Sequence, residues 1–136
     1  MSGPAHGVAT YCAGPKREDH GLLPAVERYR SRRIRMLAMQ AAWDRRPFLI
    51  LSGEYGLLGP DEPIPWYDHL LLAVEVEAMV PRVVRQLQGL RLEALDYHTA
   101  PLMSDQRVKP YFDLISSACA RAEVTLHIHL LPSALD

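Results

Sequence analysis

The stretch FLILSGEYGLLGPDEPIPWYDH, residues 48–69, decides the fold and carries most of the unusual chemistry of the chain. Phe48-Leu49-Ile50-Leu51 is a continuous apolar run with no polar alternate face, which predicts a strand covered on both sides in an α/β sheet. Ser52-Gly53 ends it. The residues beyond combine Gly53, Gly56 and Gly59 with Pro60, Pro63 and Pro65, so backbone freedom and backbone restraint together predict a loop of one fixed shape. Such a loop, at the carboxyl end of a buried parallel strand, lies where open α/β sheets place their ligands. Ser52 and the amides around Gly53 to Gly56 are suited to cradle a phosphate or carboxylate. Glu54, Asp61 and Asp68 offer carboxylates for base work or for amino groups, and Tyr55, Trp66 and Tyr67 offer faces for stacking on a base. Each residue also has a plain structural reading. Gly56 can supply a positive φ, Asp61 can cap a turn after Pro60, and Trp66 and Tyr67 can close the core beneath the loop.

Working outward, Val8 to Cys12 reads as a strand that gives way to the turn signal Gly14-Pro15. If it lies parallel and adjacent to Phe48–Leu51, Cys12 and Lys16 open onto the same edge as Ser52. Cys12 is then either a nucleophile or a small buried apolar residue, and Lys16 either a ligand contact or a solvated lysine. Leu22 to Trp43 reads as one long helix, with Pro24 in its first turn and Ile34, Leu37, Ala38 and Ala41 as the buried stripe. Arg28, Arg32 and Arg35 fall on one face of that helix, widened by Arg30 and Arg33. This face fits either nucleic-acid phosphates or solvent.

Past the loop, Leu72, Val74 and Val76 alternate as a strand would, while their neighbours suit a helix. Pro81 is either the first residue of a helix to about Gln88 or a kink inside one beginning near Leu70. Gly89 is a helix stop, Leu90 to Tyr97 a strand, Val108 to Ala122 an amphipathic helix with Asp105 near its start, and Val124 to Leu131 the last strand. The alternation predicts an α/β fold of a single domain over residues 1–136, with a mainly parallel sheet of about four strands covered by helices.

Composition narrows the function classes. The chain has 136 residues, 49% hydrophobic and 23% charged, which suits one globular core. A formal net charge of -1 gives no bulk attraction to nucleic acid or membrane. No run is apolar enough to cross a bilayer and the first residues lack a signal-peptide pattern, so a cytoplasmic location is the default expectation. Cys12 and Cys119 form no CxxC pair and are expected as reduced thiols. There is no P-loop and no GxGxxG after a strand, and no cofactor is expected. His127 and His129 share one side of a strand, but spacing shows no evident third ligand, His98 being only a candidate, so no metal site is expected. Ser52 lacks the GxSxG elbow of a serine hydrolase.

The segment LSGEYGLLGPDEPIPWYDHLL resembles the signature of the YaaA-like (peroxide stress protein) superfamily, in particular its short bacterial branch. The matching positions are Ser52, Gly53, Tyr55, Gly56, Leu57, Asp61, Tyr67 and Asp68. Cys12, Lys16, Pro24-Ala25 and Tyr29 match the opening of the short members, and Tyr111 a later position. The resemblance implies a DNA-binding or nucleotide-binding protein, linked to stress response, with its ligand on the Ser52 to Asp68 loop and with Lys16 and Tyr111 beside it. The longer members carry helical DNA-binding elements for which this chain has little room. Two functions follow as expectations. One is a nucleic-acid or nucleotide binder using Arg28, Arg32 and Arg35. The other is a small enzyme acting on a nucleobase, nucleoside or related anionic metabolite, with Cys12, Ser52 and Asp68 as catalytic candidates.

Overall fold

The structure is a computed structural model that describes residues 5–132. The chain runs through β1 (His6–Tyr11), β2 (Leu23–Pro24), α1 (Ala25–Arg28), α2 (Arg32–Trp43), β3 (Phe48–Ser52), β4 (Gly56–Leu58), β5 (Pro63–Ile64), α3 (Val76–Leu90), β6 (Ala94–Thr99), α4 (Lys109–Ala122) and β7 (Thr125–Leu130). The main sheet has five strands in the order β4-β3-β1-β6-β7, and β2 pairs with β5 in a separate two-stranded ribbon. β1 is parallel to both β3 and β6, and β6 to β7, while β4 folds back antiparallel on β3. Period-two alternation divides the strands between two cores. Val8, Phe48 and Ile50 pack with Ile34, Leu37 and Ala41 of α2 on one face. Ala9, Leu49, Leu51, Leu95 and Tyr97 pack with Val80, Val83 and Leu87 of α3 and Leu114, Ile115 and Ala118 of α4 on the other. Every residue of β3 is buried, as its unbroken apolar run predicts.

The expected long helix from Leu22 to Trp43 is not formed. Leu23–Pro24 is extended, α1 makes one turn, Tyr29 is extended again at φ -84 and ψ 133, and α2 restarts after Ser31. Ser31 caps α2 by accepting from the Ile34 N–H at 3.1 Å. The break is held by pairing with the chain after β1: Arg17 N–H donates to Arg28 O at 2.7 Å and Arg30 N–H to Pro15 O at 2.9 Å.

The sheet has five strands instead of about four, because part of the expected loop is β4. Gly56 takes φ +75 to make the reversal, and Leu57 and Leu58 are buried. The Gln86 amide of α3 completes the hairpin, its oxygen accepting from Leu57 N–H at 2.8 Å and its nitrogen donating to Tyr55 O at 3.2 Å. The alternation at Leu72, Val74 and Val76 is helical. A 3-10 turn over Ala73–Glu75 leads into α3, and Val74 is 88% exposed, so the alternate residues have no common buried face. Pro81 lies inside α3, which runs past Gly89 and ends on Arg91 in the left-handed region at φ 54. The first strand ends at Tyr11, with Cys12 just beyond it and its N–H donated to Leu51 O at 2.9 Å.

Candidate functional site

β1 has β3 on one side and β6 on the other, so the chain order reverses there. Crevices in open α/β sheets form outside the carboxyl ends of strands at such a switch point. A cavity of about 440 Å³ occupies that place. Tyr11 ends β1 and Cys12 and Lys16 follow it, Arg30 comes from the break between α1 and α2 and Arg33 from the first turn of α2, Asp68 and His69 from the long loop, Asp105 and Arg107 from the segment before α4 and Tyr111 from its first turn. Four segments distant in sequence therefore build one wall.

The cations are held in different ways. Arg33 is buried, donating to Thr10 Oγ1 at 2.7 Å, Tyr11 O at 2.6 Å and Cys12 O at 3.2 Å, with the Tyr11 ring centred 3.8 Å from the guanidinium carbon. It anchors the strand end and places a fixed positive charge in the wall. Lys16 donates to Gly14 O at 3.1 Å, and its ammonium lies 4.7 Å from the Tyr67 ring centre and 5.8 Å from that of Tyr29. Arg107 is exposed and paired with Asp105, whose carboxyl that pairing holds below the usual range.

Behind Lys16 lies a chain of buried hydroxyls. Ser52 Oγ accepts from the N–H groups of Glu54 at 3.0 Å and Tyr55 at 3.1 Å, so its own proton goes to the Tyr67 hydroxyl, 2.8 Å away. Tyr67 in turn meets the Tyr29 hydroxyl at 2.5 Å. Three protons serve two internal links, which leaves one O–H at this end of the chain with no acceptor inside it. Burial pushes the phenols of Tyr29 and Tyr67 far above their ordinary value, so both stay neutral donors. Tyr111 is raised in the same way; its oxygen accepts from Leu71 N–H at 3.0 Å and lies 3.6 Å from Cys12 Sγ.

Of the residues expected at the site, Cys12, Lys16, Asp68 and Tyr111 line the crevice together. Ser52 and Tyr67 are buried behind it. The amides of Glu54 and Tyr55 are spent on Ser52 and form no anion cradle. Gly53 is needed for packing, since a Cβ there would lie 3.0 Å from Leu71 N, and Gly56 for its reversal. Tyr55 packs edge-on against Tyr67, and Asp61 is exposed in the turn closed by Glu62 N–H to Gly59 O, away from the cavity. His69 is clamped: Nδ1 lies 3.2 Å from Glu54 Oε2 and Nε2 2.8 Å from Glu75 Oε2, and Glu54, opposed by burial and helped by Glu75, raises its pKa.

The expected arginine face is absent. Arg28 is fully buried and donates to Arg17 O, Asp19 O, Gly21 O and Ile64 O at 2.7 to 3.2 Å, so it ties the loops together and meets no solvent. Arg32 and Arg35 remain exposed on α2. Sequence reasoning missed Tyr11, Arg107 and His69, and placed Arg30 and Arg33 on the outer face; Ser31 as a helix cap is the signal that shifts the phase of α2 and turns Arg33 inward. Away from the crevice, His129 pairs with Asp96 at 2.8 Å and stacks on His98 at 4.7 Å. Among the described residues no three or more His, Cys, Asp or Glu side chains are placed to hold a metal. Comparison with protein-family models, with curated proteins and with solved structures returned no match for this chain.

Proposed function

We propose that the chain binds a small, anionic, nucleotide-like molecule in the crevice at the end of β1. One observation carries this reading: among the described residues, Lys16 and Arg30 line one cavity together with Arg33 and Arg107, and of the two carboxylates in that lining Asp105 is paired with Arg107, leaving Asp68. Low-dielectric walls focus such a field on an anion, and about 440 Å³ falls in the usual range for small-molecule sites. The resemblance of the loop to the YaaA-like superfamily agrees with a nucleotide or nucleic-acid ligand. The loss of the arginine face favours the small molecule over a long polymer. Catalysis on a nucleobase, nucleoside or similar anionic metabolite is a second reading, favoured by Cys12 and Asp68 sharing the cavity.

Calorimetric titration with nucleosides and their monophosphates tests the proposal. Monophosphates are expected to bind and their nucleosides more weakly, with Lys16→Gln weakening the monophosphate by about tenfold, the order of one lost charge-assisted contact. Equal binding of nucleoside and monophosphate, or no binding of either by the folded protein, refutes it.

A further inference from the structure

The two edges of the main sheet are finished differently. β4 forms one edge, and the outward backbone groups of Leu57 are taken by Gln86, whose amide accepts from the N–H at 2.8 Å and donates to the carbonyl at 3.2 Å. β7 forms the other edge and pairs only with β6. Thr125 N–H donates to Glu93 O and Leu131 N–H to Thr99 O, both at 2.9 Å, so the odd-numbered residues turn their backbone groups inward. The N–H and C=O groups of Leu126, Ile128 and Leu130 therefore point outward, and no hydrogen bond reaches them among the described residues. Such an edge is a template for another strand, and proteins that keep one unpaired blunt it with lysine, proline or a bulge. β7, TLHIHL, has no lysine or proline and pairs with β6 in unbroken register, with Ile128 38% and Leu130 67% exposed.

The residues of the edge say which strand fits it. Leu126-His127-Ile128-His129-Leu130 reads the same in both directions. An antiparallel copy, related by a two-fold axis at Ile128, sets Ile128 against its mate, Leu126 against Leu130 and His127 against His129. The outward groups belong to Leu126, Ile128 and Leu130, so these are the positions that exchange both backbone bonds with the strand opposite. Three such pairs give about six bonds, inside the range of about ten, give or take five, of a specific interface. Directly opposed residues share a face, so the leucines and isoleucines of both copies form one apolar row and the histidines line the other face. Charge fits a copy as well. β7 carries no Lys, Arg, Asp or Glu, so a second β7 brings no permanent like charge against it. We propose that the chain forms a two-fold dimer by antiparallel pairing of β7 with the β7 of a second copy, centred on Ile128. With Gln86 closing the β4 edge, the assembly stops at two copies and does not grow into a filament. No residue of β7 lines the crevice, so this inference stands apart from the ligand reading.

The test is sedimentation velocity of the full chain across micromolar concentrations, with wild type expected at twice the 15.3 kDa of one chain. Ile128→Lys sets ammonium against ammonium at the axis and is expected to sediment as a monomer with the circular dichroism of wild type. Cysteine variants read the register and decide alone should that variant fail to fold. Mates in a hydrogen-bonded pair lie about 5.5 Å apart between Cα atoms, within disulfide reach, so Ile128→Cys is expected to give a reducible covalent dimer under mild oxidation. Leu130→Cys alone should give none, and Leu126→Cys combined with Leu130→Cys should restore it. Wild type under the same oxidant controls for Cys12 and Cys119. Wild type that stays monomeric at every concentration overturns the proposal and leaves the edge to a strand of a different protein. A dimer that persists in folded Ile128→Lys, or that cross-links through Leu130→Cys as readily as through Ile128→Cys, also overturns it.

Discussion

Arg28 and Arg33 are both buried arginines, yet the physics holding them differs. Arg28 closes a cage of four backbone carbonyls from the segment before α1 and from Ile64. Its loss would remove four hydrogen bonds at once and leave the buried Ile64 carbonyl without this partner, so Arg28→Ala is expected to cost about 3 kcal/mol or more, read in thermal unfolding as a fall of roughly 10 °C. Arg28→Lys should recover little, because one ammonium cannot span a fork of carbonyls. A melting temperature within a degree of wild type would contradict the cage. The role of Arg28 was not legible in the sequence, and that of Arg33 only through Ser31 as a helix cap. Tyr29-Arg30-Ser31 contains no glycine or proline to mark the break, and arginines at helical spacing read as a solvent or phosphate face until the helix is cut between them. Ser52, by contrast, was legible as important but not for the right reason: its place at a strand end announced a site, while the hydrogen bonds that make it a buried strut tie it to the Glu54 and Tyr55 N–H groups and to Tyr67, fifteen residues away.

At the scale of elements, the long loop is fastened to the start of α3 by His69 between Glu54 and Glu75. The bond from Glu54, against some desolvation and with help from Glu75, raises the His69 pKa above its ordinary 6.5. The stabilisation is therefore fully present below about pH 6.5 and is lost as pH rises through the folded value. Glu75 works in the opposite sense. The Leu72 N–H first, and His69 second, lower its pKa below 4.5, so its contribution fades only as pH falls through that lowered value. The clamp should be tightest near pH 5 to 6, and amide exchange over residues 69–75, corrected for intrinsic rate, should be more protected at pH 6 than at pH 8. His69→Gln should remove that difference, and persistence of the difference in the variant would show that another group causes it. β4 shows why this region was only partly legible. GLLG carries too few residues to announce a strand, and its pairing with β3 depends on the positive φ of Gly56 and on Gln86 reaching over from α3.

For the whole molecule, the alternation of apolar runs and amphipathic stretches was enough to place β1, β3, β6 and β7 in a mainly parallel sheet with helices on both faces, because those patterns are local. The crevice is not local. It takes its walls from residues 11–16, 30–33, 68–70 and 105–111, and no periodicity links these segments. The same architecture separates a small-ligand site from a nucleic-acid surface. The exposed arginines left on α2, Arg32 and Arg35, do not line the crevice, while Lys16 and Arg30 do. A polymer lying along α2 would release counterions at both arginines, so its affinity would rise with oligonucleotide length, and Arg32→Gln with Arg35→Gln would flatten the salt slope by about two units. A ligand held in the crevice would show neither effect. Mononucleotide and short-oligonucleotide affinities are expected to be similar, and the double variant to bind the mononucleotide as wild type does. The measurement is a salt titration of labelled mononucleotide and of single-stranded oligonucleotides of increasing length, on wild type and the double variant. Affinity that climbs with length and loses salt dependence when Arg32 and Arg35 are neutralised would move the functional surface from the crevice to α2.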